Sequence, residues 1–294
     1  MPELPEVEVV RLGLAPAVTG ATVTNVEVFD ERSLRRHDGP AEDFTHRLDG
    51  ATLRSPSRRG KFLWIPLEPD AGPAREALSL HLGMSGQVLL REPDAPRDRL
   101  TRVVIALRHP EHGPLRVDFV DQRIFGSVML EHLDAASDVP DERVPASVAH
   151  IARDPLDPRF DDERFFDALA RKKTVIKRAL LDQTLLSGVG NIYADEALWM
   201  SKVHPEQPTA TLSRRRAREL LAAIRDVFGQ ALAEGGTSFD AQYLNVNGES
   251  GYFSRSLKAY GREGEPCLRC GRPIRRVSFM NRSSHFCPHC QRLR

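Results

Sequence analysis

The chain has 294 residues, 40% of them hydrophobic, with a formal net charge of +1. That length favours two domains over a single core, no apolar run approaches the ~20 residues of a membrane span, and the acidic, proline-containing start is not a signal-peptide pattern. All four cysteines lie between Cys267 and Cys290, which excludes a disulfide framework and an oxidising compartment and leads us to expect a cytoplasmic protein. The charge is uneven: residues 255–294 hold ten Lys or Arg against Glu263 and Glu265, while residues 131–163 are acidic. A basic end of this kind suits nucleic acid.

The chain opens Met1-Pro2-Glu3-Leu4-Pro5-Glu6-Val7-Glu8. Pro5 suits a first helical turn, and Val7, Val10, Leu14 and Ala17 recur on one helical face. Once Met1 is removed, the Pro2 nitrogen is a free secondary amine beside the Glu3 carboxylate. With a reference pKa near 8, about a tenth of such an amine is neutral at pH 7. Attack on a sugar aldehyde carbon would give an iminium ion, an electron sink of the Schiff-base type.

Beyond Gly20 a strand is expected over Thr22 to Phe29, and others over Lys61 to Leu67, Ala77 to Leu82, Gln87 to Leu90, Thr101 to Arg108, Leu115 to Val120 and Gly126 to Leu130. Short strands without intervening helices point to an antiparallel sandwich. Residues 133–158, with Pro140, Pro145, Pro155 and Pro158, read as an inter-domain hinge. Helical patterning follows: a helix capped by Asp161 or Asp162 through Arg171, one capped by Thr174, one over Ile192 to Met200, and one from Ser213 to about Glu234. The glycine-rich segment from Asp240 to Gly264 reads as a loop.

Three constellations carry chemistry. Cys267-x2-Cys270 and Cys287-x2-Cys290 supply four thiolates from two knuckles, as a closed structural zinc site requires. The sixteen residues between the pairs suffice for a β-hairpin bearing Arg275, Arg276 and Arg282. Second, the basic run Arg171-Lys172-Lys173 with Lys177 precedes Gly188-Val189-Gly190-Asn191, a glycine-bounded turn whose backbone N–H groups suit a phosphate, with Asn191 able to cap the helix or reach a phosphate oxygen. The plainer alternative is a helix–turn–helix with a solvated basic face. Third, two turns, His81 through Gly86 and Asp121 through Gly126, offer Met84, Arg123 and Phe125. Such side chains wedge into base stacks when exposed, although by themselves they are more often core residues.

Taken together, the Pro-Glu-Leu-Pro-Glu-Val-Glu start, Gly60-Lys61, His81 through Gly86, Arg123 with Phe125, Ile176 through Glu196, and the terminal cysteine motif with Tyr260-Gly261-Arg262 resemble the formamidopyrimidine-DNA glycosylase and endonuclease VIII family of base-excision repair enzymes. The resemblance runs nearly end to end, and Leu4 favours the formamidopyrimidine branch. It implies an α+β fold with an N-terminal antiparallel β-sandwich domain flanked by helices (1–135), a hinge (136–158), a helix–two-turn–helix DNA-binding domain (159–238), a lesion-capping loop and connection (239–264), and a zinc ribbon (265–294).

The function implied is that of a bifunctional DNA glycosylase/AP lyase for oxidised purines in duplex DNA, acting as a monomer with one structural zinc. Pro2 would attack C1′, Glu3 would protonate the opening sugar, and Lys61 and Arg282 would assist β- and δ-elimination. Met84, Arg123 and Phe125 would fill the gap left by the everted nucleotide, and Lys172, Lys177 and Asn191 would hold phosphates. The loop at residues 240–256 would cover the flipped base. Two departures stand out: Ile124 occupies a position often basic in relatives, and the stretch Leu100-Thr101-Arg102 lies where many carry a DNA-contacting histidine, a role not assigned to Arg102. Two other readings remain open, an endonuclease VIII-like preference for oxidised pyrimidines and a non-catalytic zinc-ribbon DNA-binding protein.

Overall fold

The computed structural model describes residues 2–69, 71–237, 245–248 and 251–293. Two compact units emerge, residues 1–150 with 235–251 and residues 151–234 with 252–294. Of the loop expected to cover a flipped base, residues 240–244, 249 and 250 lie outside the described residues.

The first unit begins with helix α1 (Leu4–Val18). Its buried stripe is Leu4, Val7, Val10, Leu14 and Val18, while Ala17 is only partly buried. Gly20, at φ 84°, turns the chain into β1 (Thr22–Val28). A 3-10 turn (Glu31–Leu34) and helix α2 (Ala41–Leu48) follow. Then come β2 (Ser57–Arg59), β3 (Phe62–Pro66), β4 (Glu76–His81), β5 (Gly86–Arg91), β6 (Thr101–His109), β7 (Gly113–Asp121), β8 (Ser127–Ala135) and β9 (Arg143–Pro145). They form two antiparallel sheets, ordered β1-β6-β7-β5 and β2-β3-β4-β8-β9.

Side chains of both sheets meet α1 and α2 in one core that includes Val7, Leu14, Phe44, Leu63, Leu80, Val103, Phe119 and Val128. This is the sandwich expected from the run of short strands. Helix α2 was not foreseen, although Phe44 and Leu48, one turn apart and fully buried, follow a helix start with acids at Glu42 and Asp43. The expected hinge contains β9 and a 3-10 turn (Ala146–Val148), and the unit boundary falls after His150.

The second unit holds α3 (Asp162–Arg171), α4 (Ile176–Leu180), α5 (Asn191–Met200), α6 (Arg214–Ala233) and the hairpin β10 (Arg275–Phe279) with β11 (Arg282–Phe286). Asp161 caps α3 by accepting the Arg164 N–H at 3.0 Å, and Ser213 caps α6 through Arg216 N–H at 3.4 Å. Thr174 does not cap α4: the cap residue is Val175, which makes no side-chain cap bond. The first N–H groups of α4 are satisfied instead by distant carbonyls, Ile176 by Gln207 at 2.8 Å and Lys177 by Pro205 at 3.1 Å. A side-chain cap is therefore not required there. Among the described residues no helix is long and apolar enough to cross a membrane.

Two leucines on α1 test how the core holds the N-terminus. Leu14 is fully buried and Leu12 is 54% exposed. Leu14→Ala is expected to cost about 2–5 kcal/mol and Leu12→Ala within about 0.5 kcal/mol, compared by denaturant unfolding.

Candidate functional site

Helix α1 carries the N-terminal pair. Pro2 and Glu3 are both buried, Glu3 at 2% exposure as the N-cap residue. Their backbone is held by Glu6, whose Oε2 accepts the Glu3 N–H at 2.9 Å. The other oxygen, Oε1, accepts the Thr237 N–H at 2.8 Å and hydroxyl at 2.9 Å. Glu6 was not singled out from the sequence, yet its place three residues after the cap is the spacing of a capping box. A cavity of ≈ 20 Å³ beside Pro2 is lined by Glu6, Leu82, Gly86 and Thr237 among others, room for about one water.

Lys61 sits with Gly60 (φ 58°) on the turn joining β2 to β3. This turn is braced against α1: Arg58 donates to the Gly60 carbonyl at 2.9 Å and to Glu8 Oε2 at 2.8 Å. Burial would raise the Glu8 carboxyl, but the guanidinium groups of Arg11 and Arg58 hold it below its ordinary value. One helix thus presents Pro2 and Glu3 at its start and, through Glu8, holds the turn that carries Lys61.

The two expected wedge turns lie at the ends of β4 and β7. Met84 is 41% and Phe125 51% exposed, and the exposed Arg123 makes no ion pair through its guanidinium among the described residues. Solvent exposure of all three is what insertion into a stack demands, and it removes the core alternative. His81 is neutral at neutral pH: burial, with Arg36, Lys61 and Arg35 nearby, pushes its imidazole down to about 4. Its Nδ1 accepts the Gly83 N–H at 3.1 Å. Arg102 occupies a bulge in β6 and donates through Nε to the Asp121 carbonyl at 2.8 Å.

In the second unit the basic residues part company. Lys172 is 37% exposed and its Nζ lies 2.5 Å from Asp182 Oδ2. Lys177 is fully buried. Its Nζ donates to Asp195 Oδ1 at 2.6 Å, the Ser283 carbonyl at 2.8 Å and Ser284 Oγ at 2.9 Å. Asp195 Oδ2 in turn accepts the His285 N–H at 2.8 Å. The expectation that Lys177 grips a backbone phosphate is therefore corrected, because an enclosed ammonium shared among three acceptors has no path to one. It ties α4 and α5 to β11. Nothing in the local sequence marks Asp195 as its partner.

Gly188 (φ 89°) forms the turn before α5, braced by Gln183, which accepts the Gly188 N–H at 3.0 Å and donates to the Val189 carbonyl at 2.9 Å. Gly190 is the N-cap, so Asn191 is the first helical residue and not the cap. Its Oδ1 is buried without a hydrogen-bond partner among the described residues. Arg282, exposed at the start of β11, has no ion pair among them.

The cysteines converge. All four Sγ atoms lie within 4.8 Å of one another, and Cys270 and Cys287 are 3.5 Å apart. A tetrahedron of Zn–S bonds near 2.3 Å sets sulfurs about 3.8 Å apart, so the donor set fits zinc. Burial and the neighbouring Cys270 and Cys287 push the Cys290 thiol up to about 12. Four crowded thiols resist joint ionisation, and a divalent cation removes that obstacle.

The formamidopyrimidine-DNA glycosylase N-terminal domain matches residues 1–128, its H2TH domain residues 151–242, and the zinc finger found in FPG and IleRS residues 264–293. The chain belongs to the formamidopyrimidine-DNA glycosylase family. It is 60% identical to the formamidopyrimidine-DNA glycosylase of Leifsonia xyli, over 100% of both chains, and 57% identical to that of Streptomyces coelicolor, over 99% and 98%. Among solved structures it is similar to Lactococcus lactis Fpg bound to abasic-site DNA (TM-score 0.81, 30% identity, 99% of each chain). It is also similar to a mutant of that protein bound to Fapy-dG DNA (TM-score 0.83, 30% identity, 99% and 100% covered).

Matched by the zinc finger found in FPG and IleRS, and with its four thiols converging, the cysteine site is a structural zinc site. Trp199 packs beside Cys267, Ile274 and Cys287 and reports on it. Stripping one zinc per chain with a chelator should change Trp199 emission in a Trp64→Phe background and abolish tight duplex binding, checked by colourimetric zinc titration and gel shift. Lys177→Met leaves the buried Asp195 carboxylate without its ammonium partner and is expected to cost about 3–5 kcal/mol. The Lys172→Met variant should change stability little and weaken DNA binding, with a salt slope lower by about one. Thermal melts and salt-titrated binding separate the two.

Proposed function

We propose that Pro2 is the nucleophile of a DNA glycosylase/AP lyase that removes oxidised purines, 8-oxoguanine and formamidopyrimidines, from duplex DNA. The observation that carries this reading is the held N-terminus: α1 presents Pro2 beside the buried Glu3, and Glu6 fixes the backbone between them. The reaction requires that Met1 be removed, since a Pro2 nitrogen in an amide cannot attack.

The neutral Pro2 amine attacks C1′ as the glycosidic bond breaks; the base leaves with the electron pair and takes up the proton that the Pro2 nitrogen sheds once its bond to C1′ has formed. Glu3 gives its proton to the sugar ring oxygen, the ring opens, and C1′ becomes an iminium carbon bonded to Pro2. The positive nitrogen acidifies the C2′ proton. Its loss expels the 3′ phosphate, and a second elimination expels the 5′ phosphate. Lys61 contacts a phosphate beside the lesion during the first elimination, and Arg282 assists the second. Zinc takes no part in these steps; it shapes the hairpin that bears Arg282.

A stacked nucleotide shields C1′, so the target must be turned out of the helix. Met84, Arg123 and Phe125 fill the gap, with Arg123 facing the orphaned base. Lys172 and Asn191 hold backbone phosphates, and residues 240–256 cover the extruded base. The domain limits drawn from the sequence, a catalytic domain over 1–135, a hinge over 136–158 and a ribbon over 265–294, are part of this reading. The enzyme works as a monomer on chromosomal DNA in the cytoplasm. One solved Lactococcus lactis Fpg complex holds an oxidised pyrimidine, which keeps that lesion class in the test.

Borohydride trapping decides. Protein shown by intact mass to lack Met1 should become covalently attached to duplex DNA carrying 8-oxoguanine opposite cytosine, and Pro2→Gly should lose at least about tenfold. Trapping only with oxidised pyrimidines would transfer the protein to the sister specificity. No adduct on either lesion or on an abasic site would leave a non-catalytic DNA-binding protein.

A further inference from the structure

The wedge turns raise a physical problem: three exposed side chains must push into a base stack from loops that, left alone, would yield first. We infer that Asp121 and Arg35 form a clasp that holds both wedge turns in insertion geometry, making them positioning residues for nucleotide eversion. The inference rests on the reading of Met84, Arg123 and Phe125 as the wedge.

Asp121 is fully buried at the end of β7. Its Oδ1 accepts the Ser85 hydroxyl at 2.5 Å and the Arg123 N–H at 3.1 Å, and its Oδ2 accepts the Gly126 N–H at 2.7 Å. Ser85 follows Met84 directly, and its Oγ also receives the Arg123 N–H at 3.2 Å. One carboxylate therefore grips the Met84 turn and both ends of the Arg123–Phe125 turn. Charge-assisted bonds of this kind are short and strong, and a buried carboxylate with three donors strongly resists moving.

Arg35, just after the first 3-10 turn, closes the other side. Its guanidinium donates to the carbonyls of Ile124 at 3.2 Å, Phe125 at 2.7 Å and Gly126 at 2.5 Å. Three successive carbonyls on one guanidinium leave little freedom to the peptide units on either side of Phe125. Ile124 shows what the clasp enforces. At φ 55° it is a β-branched residue in the left-handed region, which such residues rarely occupy. The two turns are also interlocked sterically, since a Cβ on Gly83 (φ 60°) would lie 2.4 Å from the Phe125 carbonyl carbon. None of these groups need touch the lesion.

The test separates eversion from chemistry. A duplex carries 8-oxoguanine with 2-aminopurine as its neighbour, and stopped-flow fluorescence reports unstacking as the wedge enters. Asp121→Asn and Arg35→Met should each slow this rise between about tenfold and a hundredfold. Borohydride trapping on a single-stranded abasic oligonucleotide, which needs no wedge, should stay within about twofold of the native protein. Arg35→Lys keeps the charge, cannot span three carbonyls and should not rescue the rate.

Native-rate unstacking in Asp121→Asn and Arg35→Met would overturn the clasp. So would a parallel loss of single-stranded trapping, because the residues would then be merely structural. Arg35 is exposed, so its variant carries the test if Asp121→Asn folds poorly. Phe125→Ala is the control: if it too unstacks at the native rate, the wedge reading itself fails and the clasp falls with it. A slow Phe125→Ala beside fast clasp variants defeats the clasp alone.

Discussion

The first unit depends on keeping the start of its leading helix still. Chain termini ordinarily fray, and fraying would scatter Pro2 and Glu3 over many positions. Glu6 prevents it. One oxygen takes the Glu3 N–H from its own helix and the other takes two donors from Thr237, a residue 231 positions away in sequence within the same unit. Burial of Leu4, Val7, Val10 and Leu14 does the coarse work of seating α1, and Glu6 sets the angle of its first turn. Gly236, at φ 84°, allows that approach: a Cβ there would come within 3.1 Å of Glu6 Oε1. Val246 seals the same face. It is 2% exposed and packs where a Cβ on Gly13 would meet it at 2.4 Å, and its carbonyl accepts the Leu90 N–H at 2.8 Å.

The second unit relies on buried charge where the first relies mostly on apolar packing. Lys177 and Asp195 bond each other and, between them, the backbone of Ser283 and His285. Neighbouring Glu196, also buried, accepts the N–H groups of Lys258, Ala259 and Tyr260, each at 2.8 Å. Burial pushes its carboxyl up, while those three donors favour the charged form. Adjacent acids on α5 thus hold the ribbon hairpin and the chain leading to it. A ribbon of this size has little core of its own, and Trp199, Ala259, Ile274 and two cysteines make up most of it. Polar anchoring to α5 and zinc at the tip replace the missing apolar area.

Much of the site was legible because its signals are local. The Pro2-Glu3 pair, the paired cysteines and the glycine turns at Gly83 and Gly188 follow from residue type and short spacing. The sandwich was legible from period-two runs, and α3 and α6 from Asp161 and Ser213 at their starts. Helix α2 was lost because eight residues give too few turns for periodicity to stand out. Thr174 misled for another reason. Its type suits a cap, but carbonyls from residues 205 and 207 already serve the helix start. The Ile124 departure, read in the sequence as a missing charge, proves also to be a backbone feature, a left-handed residue under the guanidinium of Arg35.

By itself the sequence determined which chemical groups the protein owns: a second-position proline beside an acid, four cysteines at zinc spacing, and a basic C-terminal end. Only the tertiary structure decided what each charge is for. Lys172 and Lys177 belong to one basic stretch, yet the first is part-exposed and the second is sealed against Asp195 and Ser284. Asp121 reads as an ordinary strand-end acid until the fold surrounds it with donors from two turns. The reason is physical. An ionisable group's role is set by its solvation and by partners within a few ångströms, and folding draws those partners from tens or hundreds of residues away.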